Sequence, residues 1–364
     1  MHRLHIIRWL CSLLVCFLCT ACGEKEIAHN DEHPLYFRIA DTSGMHVVEV
    51  YSPWQKGKLL ERYYIVEDSV TQVPADGVRL QVPLQRIATT SATHIGFVTA
   101  LGAEDKVVAM ATPALVYNRP KQPVADLGND MDINVERLLL SRPDAVFVSA
   151  YGDNMQYVER IRQAGIPVIY MVEWREENPL ARMEWIRMTG ILTGKAGEAD
   201  SVVQTVRKAY HKEQAVSQAI AERRTIMSGA SFRGTWYVPS GSTYMGRLLR
   251  DAGADYAYSD RQSDGSIPLS TEQALQVFGD ADVWVGCNAM TLADMRQTDE
   301  KQIWFKAYKE RRVYNFYRRE TDTGGNDFWE TGVVHPEYIL RDIRYALYPE
   351  TMPDYEPMFL QPLK

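Results

Sequence analysis

Aromatic and hydroxyl side chains are concentrated in the segments that follow predicted β-strands. In open α/β sheets, ligands bind beyond the carboxyl ends of the strands, and rings bury a large area with little loss of conformational freedom. The pattern therefore predicts a cleft for a large, flat ligand. The residues that we expect to contact this ligand are Ser91, His94, Tyr117, Tyr151, Trp174, Trp236, Tyr237, Ser240, Phe328 and Trp329. Further candidates are Thr90, Asn118, Glu173, Arg233, Tyr244, Asn326 and Asp327.

Some of these side chains could also bind a metal directly. Imidazole is a ligand of haem iron, cobalt and zinc, which points to His94. A histidine at the predicted start of a helix also commonly serves as a hydrogen-bonding group, and the sequence favours that role for His94. Tyr151 or Tyr237 could ligate ferric iron equally well. We therefore predict no metal-ligating residue.

The segment GGNDFWETG, residues 324–332, is the most distinctive local sequence. Its two glycines permit a tight loop at the rim of a cleft, where Phe328 and Trp329 would supply apolar surface. A purely structural, lobe-closing loop is the alternative interpretation.

Motifs of catalysis are incomplete in this chain. Residues 190–196 resemble a phosphate loop, but the loop is one residue short and Ala196 replaces the hydroxyl that would hold magnesium. Residues 130–134 begin like a calcium loop, but Val135 and Ser141 replace the required glycine and acid. The sequence contains neither HExxH nor GxSxG. A hydrolase that uses Ser91 and His94 is an alternative of another class, although no orienting acid can be assigned.

Short apolar runs alternate with helical segments from residue 86 onward, which is typical of βα units and a largely parallel sheet. The predicted strands are residues 86–88, 106–110, 145–148 and 167–172, followed by 224–227, 235–239, 283–286 and 313–316. Before them, residues 35–40, 46–51 and 59–66 predict a small antiparallel appendage on the first lobe.

Residues 197–224 have no internal glycine or proline and are rich in helix-forming residues, which predicts one long helix. At ~1.5 Å per residue it would be about 40 Å long, enough to connect two lobes. We predict an N-terminal lobe at 34–196, the linking helix at 197–224 and a C-terminal lobe at 225–364.

An internal repeat supports two lobes of similar design. Residues 134–148 match residues 270–285, because each segment has a glutamate, seven further residues and then Asp-Ala before a strand. Ser270 and Gln273 form the pattern of a capping box, which marks the start of a helix.

The N-terminus has the features of an export signal. Arg3 and Arg8 precede an apolar run too short to span a bilayer. The junction Ala21-Cys22-Gly23 resembles a bacterial lipobox, in which the cysteine is lipidated. We predict a signal peptide at 1–21, lipidation of Cys22 and a polar spacer at 22–33, and hence a lipid-anchored protein on the periplasmic face of a bacterial membrane.

The composition is that of an ordinary globular protein. The chain has 364 residues, of which 46% are hydrophobic and 24% charged, with a formal net charge of −7. This length suggests about two domains, and the acidic balance argues against a general nucleic-acid binder. Four of the five cysteines lie in the first 22 residues, which excludes a disulfide framework.

Six segments, in order along the chain, resemble the periplasmic substrate-binding proteins of ABC transporters that import cobalamin, haem and ferric siderophores. They are residues 85–110, 126–148, 163–170, 240–254, 268–285 and 334–350. The resemblance implies an α/β fold of two Rossmann-like lobes joined by a single long helix, with the ligand in the cleft between the lobes.

The resemblance also implies partners. One exposed glutamate in each lobe docks onto the membrane permease in this family, and the matching residues are Glu136 and Glu272. Acids at helix starts are also stabilised by the helix dipole alone.

Taken with the incomplete catalytic motifs, the resemblance predicts a binding protein, not an enzyme, without a cofactor. It would deliver an iron complex (siderophore or haem) or cobalamin to a permease and its ATPase subunits. The alternative within transport is a binder of bare zinc or manganese.

Overall fold

The computed structural model describes residues 32–364 except residues 43, 153–154 and 264. The predicted signal peptide and Cys22 lie outside the described residues. Among the described residues, no helix has both the length and the apolar character needed to cross a bilayer.

The first four strands of the described chain form one sheet, in the order β1-β2-β3-β4. Its strands are β1 (Phe37–Thr42), β2 (Met45–Tyr51), β3 (Leu59–Val66) and β4 (Val78–Gln81). The first three strands lie within two residues of their predicted positions and pair antiparallel, whereas β4 pairs parallel with β3. The buried Tyr63 connects this appendage to the N-terminal lobe, because its hydroxyl donates to the carbonyl of Val168 (3.1 Å) and accepts from the amide of Tyr170 (2.8 Å).

The described part of the N-terminal lobe contains a five-stranded sheet in which every pair is parallel, in the order β11-β10-β5-β6-β7. Its strands, with the short hairpin β8–β9, are β5 (Ile87–Thr89), β6 (Val107–Met110), β7 (Ala125–Asp126), β8 (Gly128–Asn129), β9 (Asp132–Ile133), β10 (Ala145–Ser149) and β11 (Val168–Met171). The helices are α1 (Ala92–Ala100), α2 (Val135–Ser141), α3 (Gln156–Gln163), α4 (Pro179–Met183) and α5 (Ile186–Thr193). Residues of β10 are fully buried, as expected of a central parallel strand.

One long helix, α6 (Ala196–Gln218), follows the N-terminal lobe. Its 23 residues span about 35 Å. The helix ends six residues before the predicted end at residue 224. Residues 219–224 have good helix propensity, but the amide of Arg224 donates to the hydroxyl of Tyr348 and Thr225 forms a parallel bridge with Asp255. These tertiary contacts direct the chain into the second lobe and override the local preference.

Within the described residues, the C-terminal lobe holds a four-stranded sheet in the order β12-β16-β17-β18 and an antiparallel sheet β13-β14-β15. The strands are β12 (Ile226–Ser228), β13 (Ala230–Phe232), β14 (Thr235–Pro239), β15 (Ser266–Ser270), β16 (Val283–Val285), β17 (Val313–Asn315) and β18 (Gln361–Pro362). The helices are α7 (Tyr244–Asp251), α8 (Thr271–Phe278), α9 (Leu292–Thr298), α10 (Lys306–Lys309), α11 (Thr331–Val334) and α12 (Pro336–Leu347).

The two halves of the internal repeat fold alike. Asn134 caps α2 by accepting a hydrogen bond from the amide of Arg137 (2.9 Å). Ser270 caps α8, and the predicted capping box with Gln273 is present, which confirms that prediction. Each helix then leads into a buried strand, β10 or β16.

Candidate functional site

A cavity of about 480 Å³ lies at the carboxyl ends of the N-terminal lobe's parallel strands. We call it the Tyr151 cavity. Thr90, Ser91 and Thr93 come from the segment after β5, Ser149 and Tyr151 from the end of β10, and Glu173 and Trp174 from the segment after β11. Asn326 and Trp329 of the 324–332 loop cover its other side. The strand ends and the glycine-containing loop, which were both expected from the sequence to border a cleft, thus line the same cavity.

Aromatic rings form one wall of the Tyr151 cavity. The centroids of Tyr151 and Trp174 are 5.6 Å apart, and the indole of Trp174 is held by a hydrogen bond to the carbonyl of Ala150 (3.2 Å). Tyr151 and Trp329 are 40% and 51% exposed, so their ring surface is accessible. Such rings can stack on a flat ligand.

Two carboxyl groups also line this cavity. Glu173 is only 1% exposed. Its Oε1 accepts a hydrogen bond from the hydroxyl of Thr93 (2.5 Å), while its buried Oε2 has no hydrogen-bond partner among the described residues. Burial raises the pKa of Glu173. Asp130 also lines the cavity and accepts a long hydrogen bond from the hydroxyl of Tyr151 (3.4 Å).

A second cavity, of about 430 Å³, lies on the other side of Trp174 and Trp329. We call it the Tyr244 cavity, and it is lined by both lobes. The guanidinium of Arg182, on α4, lies 4.0 Å from the ring centroid of Tyr244, on α7. Arg182 also donates to the carbonyls of Trp174 (2.7 Å) and Glu176 (3.1 Å). Burial raises the pKa of Tyr244 to about 12, so its hydroxyl stays protonated.

The 324–332 loop is attached to the N-terminal lobe by buried acids. The carboxylate of Glu330 accepts hydrogen bonds from the amides of Tyr117 (2.5 Å) and Asn118 (2.8 Å). Asp327 accepts from the side chain of Asn118 (2.7 Å) and from Arg319 (2.6 Å). The loop therefore combines the two roles considered from sequence, because it holds the lobes together and also presents Trp329 to the Tyr151 cavity.

Glu330 should make the stability of the protein depend on pH. Burial raises its pKa from 4.5 to about 7, so between these values the folded protein binds more protons than the unfolded chain. The free energy of unfolding contributed by this group therefore decreases as pH rises from about 5 to 8, by an amount on the order of 2 kcal/mol. The free energy of unfolding, measured with urea at several pH values, should decrease less steeply with rising pH in Glu330→Gln than in the wild type. Equal slopes for the two proteins would contradict this origin, and the exposed Glu222→Gln is the matched control.

His94 is not accessible to a ligand, which corrects the expectation for this residue. It is fully buried, and its Nε2 lies 3.2 Å from Oγ of Ser149. Burial lowers its pKa to about 3. Ser91 instead caps α1, where its Oγ accepts from the amide of Thr93. Ser91 and His94 thus do not form the pair that the hydrolase alternative requires.

Four further predicted contacts lie outside both cavities. Trp236 is fully buried, with its ring 5.2 Å from Trp284 and 5.1 Å from Phe305, so it belongs to the core. Ser240 is also buried and hydrogen-bonds Ser242 (2.9 Å). Tyr237 is 45% exposed on β14 without lining either cavity. Tyr117 lies under Arg319 and lines a separate surface cavity of about 410 Å³ together with residues 119 and 321–323.

The remaining predicted contacts are at the cleft. Ser91, Tyr151, Trp174 and Trp329 line the Tyr151 cavity, and Phe328 and Trp329 line the Tyr244 cavity. Asp130 and Arg182 are lining residues that sequence reasoning missed. Asp130 lies in the turn between β8 and β9, within the segment 130–134 that the sequence marks only as resembling a calcium loop. Nothing in the sequence distinguishes Arg182 from the other arginines.

A larger cavity of about 640 Å³ lies between strands β1 and β2 of the appendage and the helices α5 and α6. Several of its charged side chains are paired, as in the ion pair of Arg187 with Asp200 and the hydrogen bond between His46 and Asp41 (2.5 Å). It lies away from the strand ends, so we do not assign a ligand to it. In the part of the chain that the structure describes, no group of three or more His, Cys, Asp or Glu side chains is arranged to hold a metal ion.

The two predicted docking glutamates occupy equivalent positions in the first turns of α2 and α8. Both are exposed. Glu272 accepts a hydrogen bond from Lys301 (2.7 Å), which together with the helix start lowers its pKa to about 2. Both side chains thus lie at the surface, with Glu272 paired to Lys301, and their docking role stays a prediction.

Comparison with known proteins is consistent with this geometry. Residues 87–317 match the family model described as periplasmic binding protein. An uncharacterized lipoprotein of Methanocaldococcus jannaschii is 22% identical over 316 residues, which cover 82% of this chain and 70% of the relative.

Solved structures share the fold. A periplasmic binding protein from Veillonella parvula has a TM-score of 0.60 at 16% identity, covering 88% of this chain and 97% of its own. A periplasmic heme binding protein from Pseudomonas aeruginosa has a TM-score of 0.58 at 17% identity, covering 77% and 98%. Both likenesses concern a two-lobed α/β fold, in which α6 fits the linking helix. Since the family model spans more than half of its length, this chain belongs to the periplasmic binding protein family.

Proposed function

We propose that this protein captures a metal chelate, either an iron–siderophore complex, haem or cobalamin, and delivers it to an ABC permease with its ATPase subunits. Proteins of this family are binding proteins for transport rather than enzymes, and they work with ABC permeases. The observation that carries the proposal for this chain is the Tyr151 cavity. It combines accessible rings with hydroxyl groups at the carboxyl ends of parallel strands, where ligands of this fold class bind.

The nature of the lining groups favours a chelate over a bare metal ion. Structural and transport sites for zinc use three or four His, Cys or acid ligands at short distances. Among the described residues, only two such groups, Asp130 and Glu173, line the Tyr151 cavity. Its other lining groups include the rings of Tyr151, Trp174 and Trp329 and several hydroxyls. In a chelate, the coordination sphere of the metal is already filled. Such a ligand needs from the protein only surface contact and hydrogen bonds, which these groups supply.

For delivery, the ligand-bound protein must differ in structure from the empty protein, so that the permease can distinguish them. The long helix α6 limits the lobes to small rotations, and the 324–332 loop contacts the cavity from the second side. A ligand that touches both sides stabilises the closed arrangement. We propose that Glu136 and Glu272 then orient the closed protein on the permease, since charge pairing contributes mainly to orientation and association rate. Lipidation at Cys22 would keep the protein at the periplasmic face of the membrane.

Titration of the purified protein tests this proposal. The intrinsic tryptophan fluorescence should be quenched saturably by one of haem, cyanocobalamin or a ferric siderophore, because Trp174 and Trp329 line the Tyr151 cavity. Trp174→Ala should weaken the binding of that chelate by about tenfold or more, measured by calorimetry. Trp304→Ala is the matched control, because Trp304 is 54% exposed and lines neither cavity. A response to zinc or manganese alone, or to no compound, would overturn the proposal.

A further inference from the structure

We propose that the Tyr151 cavity selects metal chelates of zero or positive net charge, and that Asp130 and Glu173 recognise a cationic or hydrogen-bond-donating group on them. This inference rests on the proposed function, which it narrows from metal chelates in general to a charge class.

The charged side chains of the cavity have one sign. Among the described residues that line it, Asp130 and Glu173 are acidic and none is basic. The other polar groups are hydroxyls and the amide of Asn326. An anionic chelate would therefore meet carboxyl groups without a compensating cation among the lining side chains. Like-charge contact of this kind is a common means of rejecting a wrong ligand.

Glu173 has an unused hydrogen-bonding oxygen. The side chain is almost fully buried, and Thr93 satisfies only Oε1. Oε2 lacks a partner within the described residues although it is removed from solvent. A buried, unsatisfied carboxyl oxygen is costly unless something completes its hydrogen bonding. Glu173 lines the Tyr151 cavity, so a small movement of its side chain on ligand entry would let a donor on the ligand, such as an ammonium or amide group, complete this hydrogen bonding.

The protonation state of Glu173 does not change the direction of this selection. Burial raises the pKa of Glu173, so the carboxyl can also offer its own proton to a ligand oxygen. In that state the side chain is neutral and still supplies no positive charge. Asp130, which is only partly buried beside Tyr151, provides the second carboxyl.

Three arginines near the cleft are committed to other contacts, and a fourth, Arg175, lines the Tyr244 cavity with its guanidinium carbon 5.5 Å from the centroid of the Trp174 ring. Arg182 lies in the Tyr244 cavity, beyond the wall formed by Trp174, and holds the ring of Tyr244 and two carbonyls. Arg319 pairs with Asp327 (2.6 Å), and Arg119 donates to the carbonyls of Ala114 and Val116. These arginines stabilise the loop and the lobe interface, so recruiting one of them for an anion would break existing contacts.

Two sets of chelates that differ only in a peripheral charge test the inference. The first set is the linear ferric trihydroxamate ferrioxamine B, with its free ammonium, acetylated or succinylated. The second set is cyanocobalamin and its monocarboxylic acid. Haem, with its two propionates, and a ferric tris-catecholate complete the panel as anionic chelates. We expect the protein to bind one of the two sets. Within that set, calorimetry at low ionic strength should show that the cationic or neutral member binds about tenfold more tightly than the anionic member.

Variants identify the groups responsible. Asp130→Asn and Glu173→Gln should reduce the ratio of affinities between the cationic or neutral and the anionic member by severalfold. Glu222→Gln removes the same charge from an exposed position outside both cavities and should leave the ratio unchanged. Thermal unfolding of each variant verifies that it is folded.

The outcomes separate the two proposals. Binding of the anionic members as tightly as the others, tighter binding of haem or the tris-catecholate than of both sets, or a ratio that neither variant changes, would overturn the charge selection and leave the proposed function standing. Absence of binding by every chelate in the panel would overturn the proposed function and this inference with it.

Discussion

Trp236→Ala should lower the free energy of unfolding by about 3–5 kcal/mol. The ring is fully buried between Trp284 and Phe305, and its removal leaves a cavity that the two neighbouring rings cannot fill. Chelate affinity of the folded variant should remain within about twofold of the wild type, because the ring lines neither cavity. Guanidinium unfolding and calorimetry measure the two quantities.

The neighbouring residue provides the control. Tyr237 is 45% exposed, so Tyr237→Ala should cost less than about 1 kcal/mol. Equal destabilisation by the two substitutions would contradict the core position of Trp236. A large loss of affinity in the folded Trp236→Ala variant would show that Trp236 contacts the ligand after all.

Glu213→Ala should be the second strongly destabilising change, by about 3–5 kcal/mol. Glu213, on α6, pairs with Arg341 (2.6 Å) and Arg344 (2.7 Å) of α12. Arg344 is itself buried, and its Nε and Nη1 have no hydrogen-bond partner among the described residues. Removing the carboxylate would leave a buried guanidinium without its counter-charge, which is why the loss should exceed that of a surface ion pair.

Chemical unfolding measures this effect as well. Lys212→Ala is the matched control, since Lys212 is the exposed neighbour on the same helix and alanine is compatible with a helix. A change below about 1 kcal/mol in Glu213→Ala would mean that this ion-pair network does not stabilise the attachment of α6 to α12.

Local patterns were sufficient to predict many of the described strands, but β4, β7 to β9, β13, β15 and β18 were not predicted. The strand runs around residues 107–110, 145–149 and 235–239, and the capping box of Ser270 and Gln273, depend on interactions within a few residues. The end of α6 depends instead on contacts with Tyr348 and Asp255, which are distant in sequence. Helix propensity over residues 219–224 therefore gave the wrong end.

The contacts at the cleft were harder to predict, although one error was avoidable. Trp236 and Tyr237 are consecutive residues of a predicted strand, so their side chains must point to opposite faces, and at most one of them could face a ligand. The burial of His94 and the position of Arg182 under Tyr244 depend on how helices α1, α4 and α7 pack. No local pattern carries that information.

Native mass spectrometry tests the central claim of metal-chelate capture most directly. The purified protein would be incubated with an equimolar mixture of haem, cyanocobalamin, ferric siderophores, zinc and manganese, and the mass of the bound species measured. The account predicts one chelate bound in a 1:1 complex that is lost or weakened in Trp174→Ala and retained in Trp304→Ala. A complex with bare metal ions only, or no complex with any of these compounds, would contradict it.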